Sequence, residues 1–118
     1  MEEIEFLENE TGSNPVGCVI WMHGLGADAT DFEPIVPLLP LEVDLRFVFP
    51  NAPVRPITVN GGMEMRGWYD IDPGSPLASN EDIRSSVEAI TGLVEHEVAN
   101  GFRYDQITVA GFSQGGVI

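Results

Sequence analysis

The sequence predicts an α/β domain with a mostly parallel sheet and helices on both faces. Three observations carry that expectation: near-continuous apolar runs, a long amphipathic helix between two of them, and a glycine-flanked serine after the last. Ile4 to Leu7 reads as an edge strand. Val16 to Met22 is an apolar run of the kind buried on both faces of a sheet. Thr30-Asp31-Phe32-Glu33 has the form of a capping box opening a short helix through Leu39, which Pro37 should kink or shorten. Leu45 to Phe49 is a second strand, stopped by Pro50. Asn51 to Ala78 is rich in Pro and Gly and too long for a mere connector. A helix follows from about Asn80 to Ala99, capped by Ser79 or Asn80, with Glu81 and Asp82 at its positive end. Its expected core stripe is Ile83, Val87, Ile90, Val94 and Val98, which fall within about 80° of one another. Asn100-Gly101 ends the helix, and Gln106 to Ala110 is the third buried strand.

Composition bounds the function. At 118 residues the chain allows one domain, and a 43% hydrophobic content excludes a disordered acidic tail. The longest apolar run, Cys18 to Met22, is far short of the ~20 residues a membrane span needs, so no stable insertion is expected. Met1-Glu2-Glu3-Ile4-Glu5 is acidic where a signal peptide would be basic, and the single Cys18 suits a reducing compartment. Both predict a cytoplasmic protein. Five Arg, no Lys and 19 acids give a formal charge of -14. Such a surface repels phosphate backbones and anionic lipid, which argues against nucleic acid as a partner.

Gly111-Phe112-Ser113-Gln114-Gly115 fits the G-x-S-x-G pattern. Chance alone produces it in about 4% of chains this long, so the context decides. Here a buried-type strand enters the motif, and Gly115-Gly116-Val117-Ile118 could begin a helix. A serine on a sharp strand-to-helix turn needs small neighbours, which Gly111 and Gly115 supply. His23-Gly24-Leu25-Gly26-Ala27-Asp28 follows the first buried strand. The corresponding loop supplies half of the oxyanion hole in enzymes with such a serine. The Leu25 and Gln114 N–H groups are the expected donors, with His23, Gly24 and Gly26 supporting the loop. A rival reading exists: Gly24 to Ala29 also matches the dinucleotide fingerprint G-x-G-x-x-G/A. Asp28 would repel a pyrophosphate there, and Pro50-Asn51-Ala52-Pro53 stands where a ribose-binding acid belongs.

These two motifs, together with Asn51-Ala52-Pro53-Val54-Arg55-Pro56 and Trp68-Tyr69-Asp70, occur in order. Together they resemble the phospholipase/carboxylesterase family of α/β-hydrolases, which contains acyl-protein thioesterases and bacterial carboxylesterases. The resemblance covers about Val16 to the end. It implies an α/β-hydrolase fold and a cytosolic serine hydrolase without cofactor or metal. The implied substrates are small-molecule esters, acyl thioesters or lysophospholipids. It assigns the nucleophile to Ser113 and the oxyanion donors to Leu25 and Gln114. The loop holding Met63, Met65 and Trp68 is similar to the family's acyl-binding loop, where adaptable apolar side chains suit an acyl chain.

The chain departs from the family in one respect. The triad order in this fold is Ser, then Asp or Glu, then His. Only Gln114, Gly115, Gly116, Val117 and Ile118 follow Ser113, so the base and its orienting carboxylate are absent. His23 is expected to brace its loop, and His96 to lie on the solvated side of the long helix. Asp70 and Asp72 read as loop hydrogen-bonding groups, with too few companions for a metal. Residues 1–118 therefore read as the N-terminal part of one hydrolase domain, cut after the nucleophile turn. The last strand should be left with an open edge prone to self-association. The alternative is a non-catalytic α/β binding or assembly module.

Overall fold

A computed structural model describes residues 4–118. Its main sheet has four strands: β1 (Phe6–Glu10), β2 (Gly17–Met22), β3 (Leu45–Pro50) and β6 (Ile107–Gly111), in the order β1-β3-β2-β6. β1 pairs antiparallel with β3 from Phe6↔Pro50 to Glu10↔Arg46. β2 lies parallel to β3 from Gly17↔Leu45 to Ile20↔Val48, and to β6 from Cys18↔Ile107 to Met22↔Gly111. The three apolar runs thus become the three parallel strands, within a residue of their expected bounds. The edge strand begins later than expected and carries Glu8 and Glu10, charges that protect an edge. β6 forms the other edge and has no charged residue, and its Val109 is 47% exposed.

Each face of the sheet has its own core. On one, Cys18, Ile20, Met22 and Val48 pack with Trp68 and with Ile90 and Leu93 of α1 (Ser79–Ala99). On the other, Phe47 and Phe49 pack with Ala29 and Val36, flanked by Val19, Trp21 and Phe32. The second face is covered by a 3-10 helix, Glu33–Leu38, where an α-helix was expected. Pro34 and Pro37 explain this: each lacks an N–H, and Pro37 sits inside the element. The expected capping box does not form. The Thr30 N–H and hydroxyl both donate to Asp28 Oδ1, a nearer acceptor, and no side chain caps the 3-10 helix.

The buried stripe of α1 is also displaced from the expected one. It consists of Ser86, Ile90, Leu93 and Glu97, while Val87 is 40% exposed. Two polar anchors rotate the helix. The Ser86 hydroxyl donates to Trp68 O at 2.5 Å. Glu97, 0% exposed, accepts Arg46 Nε at 2.7 Å and Nη2 at 3.2 Å. Arg46 also donates to Glu8 and Glu10, so one guanidinium joins β1, β3 and α1. Hydrogen bonding to Glu97 raises the Arg46 pKa still further. Burial and the same carboxylate push the Cys18 thiol up to about 12, which leaves it inert. The helix ends at Gly101, whose φ of 112° lets Gly101 N donate to Val98 O and Phe102 N to Glu97 O.

The long Pro- and Gly-rich segment is ordered as a hairpin. β4 (Val54–Ile57) pairs antiparallel with β5 (Met63–Arg66) across a turn holding Gly61 and Gly62 at positive φ.

Removing the Glu97 carboxylate takes from a largely buried guanidinium its one fully buried partner and leaves it the exposed carboxylates of Glu8 and Glu10. Glu97→Ala should destabilise the chain by about 3 kcal/mol, read from urea midpoints, and a loss under about 1 kcal/mol would contradict the anchor. Of the five arginines, Arg46, Arg55, Arg66 and Arg103 already pair with carboxylates. The remaining acids repel one another across the surface. Raising KCl from about 0.1 M to about 1 M shortens the screening length from ~10 Å to ~3 Å and should raise the melting temperature. A flat or falling melting temperature would show that the repulsion is unimportant.

Candidate active site

β6 runs through Phe112 into Ser113, whose φ of 54° is the one positive value at a non-glycine among the described residues. L-residues pay about 1–2 kcal/mol for this conformation, so something must hold it. Two backbone bonds do: Phe112 N donates to Met22 O and Gly115 N to Phe112 O, both at 3.0 Å. The flanking glycines are required by space. A Cβ on Gly115 would lie 2.5 Å from His23 O, and one on Gly111 would lie 2.6 Å from Gly116 N. After the serine the chain forms a short 3-10 helix, Ser113–Val117.

The His23–Asp28 loop arrives beside this turn. A Cβ on Gly24 would sit 3.5 Å from Ser113 Cβ, so the backbone of the loop abuts the serine. The loop reverses through Leu25 and Gly26, with Ala27 N donating to Gly24 O and Gly26 at φ 78°. Gly26 N donates to Arg66 O at 2.8 Å, which ties the loop to β5. The N–H groups of Leu25 and Gln114 have no acceptor among the described residues.

His23 braces the loop. The ring is 2% exposed, with Nδ1 2.6 Å from Gly24 O and Nε2 3.0 Å from Ala52 N. Only the neutral Nδ1–H form donates to the first and accepts from the second. Burial lowers its pKa accordingly. Both nitrogens being committed, His23 cannot serve Ser113 as a base. His96 lies exposed on α1, bonded to Asn100. No histidine or carboxylate hydrogen-bonds Ser113 among the described residues.

Trp68 is 0% exposed and sits beneath the site instead of lining its surface. Its N–H donates to Gln114 Oε1 at 2.7 Å, its indole Nε1 to His23 O at 2.8 Å, and its carbonyl accepts from Ser86. Gln114 Nε2 completes the clasp by donating to Tyr69 O at 2.9 Å. The acyl-contact role expected of Trp68 therefore has no free indole surface behind it. Met65 lies against Gly26, while Met63 projects from the hairpin and is exposed. Asp70 accepts from the Thr58 N–H and hydroxyl, which lowers its pKa, and Asp72 accepts from Gly74 N. Among the described residues no group of three His, Cys, Asp or Glu could hold a metal. No helix among them is long and apolar enough to cross a membrane.

Several supporting residues escaped sequence reasoning. Ser86 and the Gln114 side chain clasp Trp68. Arg55 donates to Gly67 O and pairs with Asp82 of α1, and Arg66 donates to Ala52 O. Ser86 left a faint signal, as a small polar residue on the helix beside the apolar stripe.

Two measurements probe this geometry. Ser113→Gly and Ser113→Ala both delete the hydroxyl, but only glycine accepts positive φ freely. The glycine variant should be the more stable by about 0.5–1 kcal/mol, and equal stabilities would mean the turn is unstrained. His23 stays neutral in the fold but charges in the unfolded chain. Stability should therefore fall as pH drops below about 6.5 and be unaffected by this group above it. Urea titrations should show the fall in the parent chain and lose it in His23→Gln; identical profiles would refute the neutral brace.

The chain is similar to proteins of known family. The model of the Phospholipase/Carboxylesterase family matches residues 6–118. Acyl-protein thioesterase 1 of Mycosarcoma maydis is 32% identical over 122 residues, covering 92% of this chain and 51% of that protein. A probable inactive carboxylesterase of Oryza sativa subsp. japonica is 34% identical over 108 residues, covering 85% and 44%. The crystal structure of Arabidopsis thaliana SOBER1 superposes with a TM-score of 0.73 at 29% identity, over 85% of this chain and 50% of that one. Zea mays acyl-protein thioesterase 2 shares the fold, with a TM-score of 0.76 at 24% identity over 94% and 47%. The chain thus spans about half the length of the curated relatives it matches. An α/β-hydrolase sheet, the strained serine turn and the match over residues 6–118 place this chain in the phospholipase/carboxylesterase family.

Proposed function

We propose that these residues are the nucleophile-bearing part of a cytosolic serine hydrolase acting on carboxylic esters, acyl thioesters or lysophospholipids. The observation that carries this is Ser113, held at φ 54° against the Gly24 backbone, with the Leu25 and Gln114 amides nearby, neither of which has an acceptor among the described residues. Ser113 Oγ attacks the acyl carbon, and the oxyanion forms between those amides. The alcohol or thiol leaves, and water later releases the acid from the acyl-serine. Met65, and Met63 beyond it, offer adaptable apolar contacts to the acyl chain, with Trp68 fixing the floor.

The attack needs a base within hydrogen-bond reach, and neither histidine of this chain supplies one. Loss of the base in a comparable serine hydrolase costs on the order of 10⁶ in turnover, leaving ~10³–10⁴ over water. Residues 1–118 alone are accordingly a poor enzyme, and their uncharged β6 edge favours self-association. A second reading, a non-catalytic α/β module, is favoured by the rice relative, which is described as probably inactive.

A chimera joining residues 1–118 to the C-terminal half of the Mycosarcoma maydis relative distinguishes them. The chimera should hydrolyse p-nitrophenyl esters and take a fluorophosphonate at Ser113, and Ser113→Ala should lower turnover by about 10³-fold or more. The 118-residue chain alone should do neither. Turnover that survives Ser113→Ala would refute the nucleophile. Equal turnover by the short chain would refute the argument from the missing base.

A further inference from the structure

We propose that Asn60 is a site of spontaneous deamidation that loosens the hairpin gripping the Leu25–Gly26 turn. The proposal does not depend on the catalytic assignment. In this chemistry the backbone nitrogen of the following residue loses its proton and attacks the asparagine Cγ. Ammonia leaves, a succinimide ring forms, and water opens it to aspartate or isoaspartate. Attack is unhindered only where the next residue lacks a Cβ and its peptide can rotate.

Two of the six asparagines precede glycine: Asn60-Gly61 and Asn100-Gly101. At the other four the chemistry is hindered or blocked: Asn9 and Asn80 precede glutamates, whose Cβ hinders the attack. Asn14 precedes Pro15, which has no N–H, and Ala52 after Asn51 donates its N–H to His23. Both Asn-Gly pairs are exposed, but they differ in what they are attached to. Asn100 lies in the helix terminus, where Asn100 N donates to His96 O and Glu97 O, Gly101 N to Val98 O and Phe102 N to Glu97 O. The Phe102 side chain packs against the core there. Asn60 lies at the hairpin tip, where residues 58 to 64 are all exposed. Gly61, Gly62 and Gly101 alike have open space where a Cβ would stand, and the Gly61 and Gly101 N–H groups each have one 3.1 Å bond to give up. The difference lies in what moves with them: at the tip, only the exposed turn and the 3.0 Å bond from Gly62 N to Ile57 O. The opening needed for attack is therefore local at Asn60, whereas at Asn100 it unravels the helix end.

Conversion reaches the site through two links. Asn60 Nδ2 donates to Met65 Sδ at 3.7 Å, and a carboxylate cannot replace that donor. Isoaspartate also inserts a methylene into the turn that sets the Ile57↔Met63 register, and β5 carries the Arg66 carbonyl that holds Gly26.

Peptide mapping of the intact chain, aged in mildly alkaline buffer, tests this. Asn60 should gain the mass of amide-to-acid conversion roughly tenfold faster than Asn100, with isoaspartate detected by an isoaspartyl methyltransferase. The rate should rise with pH, because the attacking nitrogen must deprotonate. In urea the two sites should converge, and Asn60→Gln should abolish the early conversion. Conversion of Asn100 as fast as Asn60 in the folded chain would overturn the proposal, as would an Asn60 that changes only after unfolding.

Discussion

The burial of Trp68 is the constraint on which the site depends. A tryptophan at 0% exposure must find partners for its indole N–H and for both polar groups of its backbone. It finds them on three separate elements: Gln114 behind the serine, His23 at the end of β2, and Ser86 on α1. Each of these partners is itself buried, and no buried side-chain nitrogen or oxygen lacks a partner among the described residues. A shift in any one element would leave a polar group unpaired at about 1–3 kcal/mol. That exceeds what the Ser113 turn would gain by relaxing only when several such bonds act together. The strained serine therefore persists because the surroundings fix its neighbours.

The same network explains what was legible in the sequence. The strands declared themselves because β2 and β3 are buried on both faces and, Arg46 apart, apolar throughout, and such a run needs no knowledge of partners. The serine turn was legible because Gly111 and Gly115 are forced by contacts within a few residues or with the adjacent strand. The face of α1 was not. An apolar moment assumes that only hydrophobic side chains go inward, and Glu97 and Ser86 go inward because Arg46 and Trp68 await them. Those partners lie 51 and 18 residues away. Trp68 is ambiguous in sequence for a related reason. Its composition suits an acyl pocket as well as a polar hub, and only the positions of Gln114 and His23 separate the two.

Charge tells a parallel story. In a chain with no lysine, cations are scarce, and most arginines are spent on architecture. Arg46 fastens the edge strand to the sheet and helix, Arg55 fastens the hairpin to α1, and Arg66 fastens the hairpin to Ala52. The planar, multidentate guanidinium suits this in a way an ammonium would not. The outer surface is left largely to carboxylates, whose mutual repulsion opposes close approach of like-charged faces, while β6 carries no charge.

The parts of the proposed chemistry therefore separate cleanly. Electrostatic stabilisation of an oxyanion requires amides fixed before the reaction, and Leu25 and Gln114 are held by the Gly24–Ala27 turn, the His23 ring and the Trp68 clasp. Proton transfer requires a titratable group with a free nitrogen near Ser113, and the fold uses its buried histidine otherwise. His23 illustrates why one residue cannot do both. Bracing needs both ring nitrogens occupied and the charge suppressed, whereas a base needs one nitrogen open and the charge accommodated. Preorganisation and proton transfer make opposite demands on an imidazole, so a chain that builds the first from His23 must take the second from another residue.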